Sequence, residues 1–328
     1  MKKYWISSLL PLKGMIKQTG IPFILPLYHT TGFNHSLPYT KFLYQNRTEI
    51  EFEHELDFLL KHFEPVDLQE ILNHKNTSKK KPAFHITIDD GLASNYELIA
   101  PVLYKKGIPA TFFINPAFID DANIMHRYKA SLLLDWLQIN QSGVNLVSDF
   151  LKVPNNFSNI KNFILDIRYP NKNKLDECVN LLGISWKEIL HKNPLYLTTQ
   201  QLHNIQQAGF HIGAHSWDHP EYELLSFEEQ QDQTLKSVQY IKEKFNPMVS
   251  SFAFPFTDHK VSLAFFEWLH TQVDLSFGCA GFKSDSFPGH FQRIPIEKSV
   301  YRIQDLLLQQ SGMYYVKKLL GKHIVKHA

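Results

Sequence analysis

The chain has 328 residues, of which 44% are hydrophobic and 20% are charged. This composition is typical of a folded chain with one large domain or two ordinary ones, and it excludes disordered and fibrous proteins. The formal net charge of +2 is too small to indicate a nucleic-acid partner. Only two cysteines occur, which excludes a disulfide-built scaffold and predicts two reduced thiols.

Both ends of the chain are basic, since no acidic residue precedes Glu49 and none follows Asp305. We therefore divide the sequence into a basic N-terminal segment, one domain and a basic C-terminal helix or tail, at residues 1–20, 21–305 and 306–328.

The sequence predicts no signal peptide and no membrane-spanning segment. The first apolar run is interrupted by Pro11 and Lys13, which makes it short for the apolar core of a signal peptide. We therefore expect a cytoplasmic protein, with a periplasmic location as the alternative, and its oligomeric state is undetermined. The basic C-terminal helix suggests peripheral contact with an anionic membrane at the inner membrane surface, although a helix surrounded by solvent is the simpler interpretation.

Short apolar runs predict the strands of a parallel sheet that is buried on both faces. They lie at residues 23–28, 83–88, 110–114, 210–214, 251–256 and 273–277. Helix signals alternate with them: Gly107 fits a C-terminal cap, and Thr198 with Gln201 and Ser226 with Glu229 fit capping boxes. This alternation predicts an α/β fold, either a barrel or a doubly wound sheet.

The alternation is interrupted between about residues 123 and 197, where Asn and Lys are common and apolar spacing predicts helices around Leu134 and Val179. We interpret this stretch as a helical insertion into the α/β domain. Its simplest role is a lid with no chemistry of its own.

Two adjacent carboxylates follow the second predicted strand. Asp89 and Asp90 precede Gly91, so they lie in a loop at the rim of a parallel sheet, where α/β folds place their sites. Adjacent anions repel each other, and a metal ion would offset this repulsion while one carboxylate remains a base. A single aspartate at this position would more simply cap a helix.

Two histidines follow the fourth predicted strand. His215 and His219 are four residues apart, and Pro220 favours a loop for them, because the residue before proline avoids helical geometry. Two imidazoles and one carboxylate are a frequent metal-ligand set with open positions for water. Together with Asp89 and Asp90 they predict a metal-dependent hydrolase, whereas the pair alone would be unremarkable among 17 histidines.

The motifs around these residues resemble those of NodB-type polysaccharide deacetylases, carbohydrate esterase family 4. Residues 87–91 (TIDDG) and 215–219 (HSWDH) resemble the first two motifs of the family, and residues 107–113 (GIPATFF) resemble its second strand. The resemblance extends more weakly from Tyr28 to about Glu297, and the motif arrangement is most similar to that of poly-N-acetylglucosamine deacetylases. It implies an irregular (β/α) barrel of about seven strands, with the site at their C-terminal ends.

Carried over to this sequence, the resemblance implies that Asp89 is the catalytic base and that Asp90, His215 and His219 bind a divalent metal. The metal of the family is usually zinc, and cobalt, nickel or manganese can replace it. The implied substrate is an N- or O-acetylated sugar of a polysaccharide or glycan intermediate, deacetylated during surface-polysaccharide synthesis.

The third motif of the family is altered here. Residues 253–257 keep its proline and aromatic residue, but Ala253 replaces the arginine that orients the base in relatives. We expect Arg293 to replace that arginine, with a surface ion pair as the alternative. The backbone N–H near Phe256 is expected to stabilise the oxyanion, and Phe256 and Trp217 are candidates for stacking on a sugar unless they are simply core.

A general acid is also required, because the leaving nitrogen of an amide must be protonated. The poly-N-acetylglucosamine deacetylases carry a histidine near the N-terminus in a permuted motif, and this resemblance assigns His29 as the acid. His290 is the alternative, and His29 would then be a strand-end histidine bonded to backbone.

Two other functions fit parts of the pattern. A catalytically degenerate carbohydrate-binding protein with the same fold would explain the altered third motif but not the intact set of aspartates and histidines. A metal-dependent amidohydrolase acting on a small non-sugar amide would use the same set.

Overall fold

The apolar runs of the sequence form short parallel strands. The structure is a computed structural model and describes residues 12–32, 37–73, 82–192, 194–297 and 301–327. The strands are β1 (Phe23–Ile24), β2 (Pro26–Tyr28), β3 (Glu64–Pro65), β4 (Ala83–Phe84), β5 (Ile86–Ile88), β6 (Ala110–Ile114), β7 (His211–Ala214), β8 (Ser251–Ala253), β9 (Leu275–Gly278), β10 (Ser284–Asp285), β11 (His290–Gln292), β12 (Ile294–Pro295) and β13 (Ile324–Val325).

The main sheet is parallel throughout and closes on itself. Its strand order is β11-β9-β8-β7-β6-β5-β2-β12, and the first and last of these strands are consecutive in the chain, separated only by Arg293. The Arg293 N–H donates to Gly278 O (3.2 Å) on one side, and the Ile294 N–H donates to Leu25 O (2.8 Å) on the other. Residues 290–295 therefore join both edges, and the irregular (β/α) barrel predicted from the sequence is confirmed.

Two smaller sheets extend this barrel. β1 and β4 pair with each other and precede β2 and β5 in the chain, and β3 pairs with β4 on its other side. β10 pairs with β13 near the C-terminus.

The helices are α1 (Leu12–Thr19), α2 (Glu49–His62), α3 (Leu68–Leu72), α4 (Ala100–Lys106), α5 (His126–Ile139), α6 (Gln141–Leu151), α7 (Phe157–Leu165), α8 (Asn173–Leu181), α9 (Trp186–Lys192), α10 (Thr199–Gln207), α11 (Phe227–Phe245), α12 (Leu263–Leu269) and α13 (Ile303–Leu319). Thr198 and Ser226 form the predicted capping boxes, and Gly107 ends α4 with a φ of 64°. A π-helical turn, Asn95–Ile99, precedes α4. Short 3₁₀ segments lie at Pro116–Asp121, Tyr169–Asn171 and Tyr222–Leu224.

The strands bury both faces, because successive side chains point to opposite sides of a sheet. In β6, Phe112 packs with Leu103 and Leu202 in the large cluster between the barrel and its helices. Its neighbour Phe113 belongs to a second cluster and packs against Phe277 across the barrel, with ring centroids 5.4 Å apart. This two-sided burial explains why β6 is an almost continuous apolar run in the sequence.

Helices α5–α9 occupy the stretch predicted to be an insertion. α5 to α8 surround a hydrophobic cluster of their own, which contains Leu134, Val144, Ile164 and the unpaired thiol of Cys178. A further cluster, including Tyr128 of α5, joins the insertion to the loops at the C-terminal end of the barrel. The insertion therefore lies beside the end of the barrel where α/β folds place their sites.

The two terminal helices pack against each other. The Tyr314 hydroxyl of α13 donates to Thr19 O (3.1 Å), and the Tyr315 hydroxyl donates to Met15 O (2.7 Å). Ile16 and Leu307 are fully buried in the main core. The inner face of α13 is therefore packed, while Met313, Val316, Leu319 and Leu320 are exposed on its other side and at its end. None of the helices in the described ranges combines the length and apolar character that a bilayer-crossing helix requires.

Gly213 in β7 tests the packing between the strands. A Cβ atom at this position would lie 2.6 Å from the ring of Phe113 and from Ser251 Oγ, so we expect Gly213→Ala to lower the free energy of unfolding by about 1–3 kcal/mol. Gly312→Ala in α13 is the matched control, because its Cβ would meet open space, and it should raise the free energy of unfolding by up to about 1 kcal/mol. Denaturant titration measures both; equal stabilities would contradict the described packing.

Candidate active site at the C-terminal end of the barrel

The predicted site residues converge at the ends of different strands. A cavity of about 210 Å³ opens at the C-terminal end of the barrel. Seven of the eight predicted residues line it, namely His29, Asp89, Asp90, His215, His219, Phe256 and Arg293. Because parallel strands end at the same edge, residues far apart in sequence share this space.

Asp90, His215 and His219 place three potential metal-ligand atoms close together. Asp90 Oδ1 lies 3.2 Å from His219 Nε2 and 3.5 Å from His215 Nε2. All three side chains are buried, and one ligand atom from each lies within 4.8 Å of the others. Asp90 and His219 have φ values of 71° and 60°, an uncommon conformation for non-glycine residues that aims both side chains into the cavity.

The hydrogen bonds around this set fit a divalent cation. His215 Nδ1 lies 2.8 Å from Ala253 O, and because a carbonyl only accepts, Nδ1 carries the proton and Nε2 presents a lone pair. Asp90 Oδ2 accepts a hydrogen bond from the Tyr128 hydroxyl, whereas the buried Oδ1 has no hydrogen-bond partner among the described residues. An unpartnered buried carboxylate oxygen is costly, and a shared cation would satisfy it together with two imidazole lone pairs.

Asp89 is held by a buried arginine. Arg293 Nη1 donates to Asp89 Oδ1 (2.6 Å) and Nη2 donates to Oδ2 (2.9 Å), while Nε donates to Gly278 O (3.1 Å). Arg293 is 0% exposed, so the alternative of a surface ion pair is wrong. Burial alone would raise the pKa of Asp89, but the guanidinium outweighs it and holds this pKa below its ordinary value. Asp89 is therefore a carboxylate at neutral pH.

His29 is paired with a carboxylate that the sequence analysis did not assign. His29 Nδ1 lies 2.6 Å from Glu297 Oε2, and Glu297 Oε1 accepts the backbone N–H groups of His29 (2.8 Å) and Thr30 (2.9 Å). Burial by itself would lower the pKa of His29. The charge of Glu297 and its hydrogen bond to the imidazole outweigh this effect and raise the pKa to about 9. His29 is therefore an imidazolium at neutral pH, and Nδ1 donates to the carboxylate.

Two predicted candidates lie elsewhere. The ring of Trp217 packs against Tyr240 of α11 at 6.4 Å and does not line the cavity, because the turn that directs His215 and His219 inward directs the residue between them outward. Trp217 is therefore not placed to stack on a sugar in this cavity. His290, the alternative acid, is buried between Ser276 (2.7 Å) and Asp258 (3.1 Å) and also does not line the cavity.

Several cavity residues were missed by sequence reasoning. Tyr128 bonds Asp90 from α5, and Arg127 of the same helix lines the cavity. No local signal distinguishes them, because a tyrosine on an amphipathic helix is typical of core packing. Glu297 follows β12, a two-residue strand that no apolar run indicates in the sequence. Cys279 also lines the cavity, so only Cys178 is a buried core thiol.

With this geometry established, the family can be identified. The sequence model described as Polysaccharide deacetylase matches residues 76–265, more than half of the chain. The chain belongs to the polysaccharide deacetylase family. A search of curated proteins finds no match.

Solved structures of other deacetylases share the fold of this polysaccharide deacetylase. The deacetylase PplD of Streptococcus pyogenes, in complex with acetate, is 15% identical, with a TM-score of 0.55 over 89% of this chain and 97% of its own. IcaB from Ammonifex degensii is 16% identical, with a TM-score of 0.53 over 89% and 97%. A de-N-acetylase from Aggregatibacter actinomycetemcomitans is 13% identical, with a TM-score of 0.54 over 87% and 99%.

The pairing of His29 with Glu297 predicts a pKa change. In Glu297→Gln the charge that raises the pKa of His29 to about 9 is absent, so we expect the pKa to fall to about 6.5 or below. NMR titration of the imidazole measures this change. Buried His85, with a pKa lowered to about 4, should be unaffected and serves as the control. A His29 pKa still near 9 in the variant would contradict the assignment.

The same pair predicts a pH dependence of stability. The pKa of His29 is raised on folding, so its contribution to stability is fully present below the unfolded value of about 6.5 and is lost as pH rises through about 9. The Glu297→Gln variant should therefore lose this part of the pH dependence in denaturant titrations.

Proposed function

We propose that this polysaccharide deacetylase is a metal-dependent hydrolase that removes acetyl groups from N-acetylated sugars of a polysaccharide or glycan intermediate. The observation that carries the proposal is the convergence of Asp90, His215 and His219 beside the ion pair of Asp89 with Arg293. The nitrogen and oxygen donors suit zinc, and cobalt, nickel or manganese are alternatives. When bound, such a cation polarises the acetyl carbonyl and makes water easier to deprotonate.

In this proposal Asp89 is the general base. Its carboxylate is ionised at neutral pH and accepts the proton of the attacking water. Arg293 is a positioning residue, because its two parallel hydrogen bonds fix the plane of the carboxylate. The arginine that is missing from the third motif would then be replaced from a different strand.

The backbone at Phe256 can stabilise the oxyanion. Phe256 lines the cavity with its ring 4.5 Å from that of His219, and it has a φ of 56°. No hydrogen bond from its N–H to another described residue is formed, so this donor remains available. A fixed N–H aimed at developing negative charge stabilises the transition state more than the ground state.

His29 is the proposed general acid. Its imidazolium lines the same cavity and is held by Glu297. As the carbon–nitrogen bond breaks, His29 donates a proton to the leaving nitrogen, and acetate departs. An imidazolium at this position suits an amide substrate, because the leaving nitrogen must accept a proton as it departs.

The rival functions have less support. The altered third motif was the main argument for a degenerate carbohydrate-binding protein, and a buried Arg293 bonded to Asp89 removes that argument. A small-amide hydrolase remains a competitor that a comparison of acetylated sugars with simple amides would test.

Replacement of single residues separates metal binding from proton transfer. In Asp89→Asn we expect the metal to be retained and turnover to fall by about 10²–10⁴-fold, because only the base is removed. In His219→Ala both metal and turnover should be lost. Asp218→Asn, in the same loop, is the control and should retain both. Elemental analysis and acetate release measure these outcomes. Wild-type turnover in Asp89→Asn would contradict the assignment of Asp89 as the general base.

We propose as well that residues 21–305 form the catalytic domain. A separate proposal is that the outer face of α13 contacts an anionic membrane. Met313, Val316, Leu319 and Leu320 are exposed there, and Lys318 and Lys322 lie beside them. An apolar stripe among lysines is typical of helices that rest on anionic lipid.

Vesicle sedimentation tests this contact. The wild-type chain should bind vesicles of phosphatidylcholine with phosphatidylserine more strongly than phosphatidylcholine alone, and replacing the four apolar residues with serine should abolish the difference. Met248→Ser, which removes an exposed apolar side chain elsewhere, is the control. Equal sedimentation of the wild type and the serine variant with the phosphatidylserine vesicles would argue against the contact.

A further inference from the structure

We infer that a second divalent transition metal binds beside β11, where it fastens the C-terminal segment of the chain to the edge of the barrel. Its four ligands are Asp258, Asp285, His290 and His327. None of them lines the catalytic cavity, so this site goes beyond the proposed function.

Four distant parts of the chain bring these ligands together. Asp258 lies in the loop after β8, Asp285 ends β10, His290 begins β11, and His327 lies two residues after β13. Because β13 pairs with β10, His327 reaches Asp285, and its Nε2 lies 2.9 Å from Asp285 Oδ1. The ring of His327 also packs on that of Phe266, with centroids 3.9 Å apart. His327 therefore joins the C-terminal segment to the cluster.

The spacing of the ligand atoms suits a tetrahedral metal site. One ligand atom from each of the four residues lies within 4.8 Å of the others. His290 Nε2 lies 3.1 Å from Asp258 Oδ2 and 3.9 Å from Asp285 Oδ2. A tetrahedron with metal–ligand distances of about 2.0–2.1 Å has edges of roughly 3.3 Å, so small movements of the side chains are enough to bind one ion. Two imidazoles among the ligands favour zinc and similar transition metals over magnesium and calcium.

A divalent cation also balances the charge of the cluster. At most 3% of each ligand side chain is exposed. Burial alone would raise the pKa of Asp258 and Asp285, but hydrogen bonds from the imidazoles outweigh it and hold both pKa values below the ordinary one. In the described ranges, neither carboxylate has a lysine or arginine nitrogen within 4.0 Å. With the neutral imidazoles that metal binding requires, two buried negative charges remain, and one divalent cation supplies their counter-charge.

An amide donor marks the point where the ligand atoms converge. Gln292 Nε2 lies 2.6 Å from Asp258 Oδ2 and 2.8 Å from Asp285 Oδ2. The same nitrogen lies 3.2 Å from His290 Nε2, although an amide NH₂ group has only two protons for these three neighbours. A cation can bind all three once the amide turns about its terminal torsion, which is soft. Because the amide must move first, we expect this site to bind metal more weakly than the catalytic site does.

A chain of hydrogen bonds orients His290 as a ligand. Its Nδ1 lies 2.7 Å from Ser276 Oγ, which in turn lies 2.9 Å from His270 Nε2. Burial lowers the pKa of His270 to about 4, so His270 is neutral at neutral pH and its Nε2 can accept the serine proton. His290 Nδ1 then donates to the serine, and Nε2 presents a lone pair to the cluster. Histidines that bind metals usually have such an outer partner.

Zinc binding by His219→Ala tests the site, because this variant lacks a ligand of the proposed catalytic metal. Washed free of added zinc, the variant should retain no metal. In equilibrium dialysis against zinc, followed by elemental analysis, it should bind about one equivalent. Magnesium should not compete, because imidazole ligands favour transition metals. Binding of no zinc, or equal binding of magnesium, would overturn the inference.

Replacement of His327 locates the bound zinc. His327→Ala, added to His219→Ala, should weaken zinc binding at least tenfold, since loss of even an outer partner of a metal ligand costs about 10–100-fold in affinity. His323→Ala in the same segment is the matched control, because His323 is not among the clustered ligands, and it should leave the zinc affinity of His219→Ala unchanged. Equal zinc affinities in the two double variants would contradict the inference.

Hydrogen exchange tests whether zinc fastens the C-terminal segment. The backbone N–H groups of Ser284 and Ser286 donate to His323 O (3.2 Å) and Val325 O (3.0 Å), so they are released when β13 leaves β10. Zinc at ten times its dissociation constant should slow their exchange about tenfold in His219→Ala, and at most about twofold when His327 is also replaced. Exchange in His219→Ala that zinc does not slow would overturn the fastening of this segment.

Discussion

The buried ion pair between Arg293 and Asp89 connects the fold of this chain to its site. A guanidinium with no exposed surface requires a charged partner, and removing one partner of such a pair costs about 3–5 kcal/mol. Arg293 lies in the segment that joins the two edges of the sheet, and Asp89 follows β5. The pair therefore forms only when the barrel closes, and closure in turn fixes the orientation of the carboxylate.

The other charges of the cavity follow from the same constraint. Each buried anion needs a compensating partner: Asp89 has Arg293, and Glu297 has His29. Asp90 receives one hydrogen bond from Tyr128, but its second oxygen faces two imidazole nitrogens. Of these three carboxylates, Asp90 is the one with an incomplete set of partners, and it lies where a cation is proposed. The proposed base Asp89 is its neighbour, and the proposed acid His29 lines the same cavity.

Part of this arrangement could be predicted from the sequence. Asp89 and His215 follow largely apolar runs. Such runs indicate where buried strands end, even when the neighbouring strands in the sheet are not known. Residues 290–295 were not predicted as a strand, because His290, Gln292 and Arg293 are polar and their pairing depends on barrel closure. The outward direction of Trp217 depends on positive φ values at Ser216 and His219. The sequence does not indicate these values, because non-glycine residues rarely adopt them. Tyr128 reaches Asp90 only because the insertion folds over the barrel end.

The claim that Asp90, His215 and His219 share one divalent cation is tested most directly by an anomalous difference map, recorded at the zinc absorption edge from crystals grown with zinc. The account predicts one strong peak bonded to Asp90 Oδ1 and to the Nε2 atoms of both histidines. A map with no peak between these three atoms, or with its strongest peak at other residues, would contradict it.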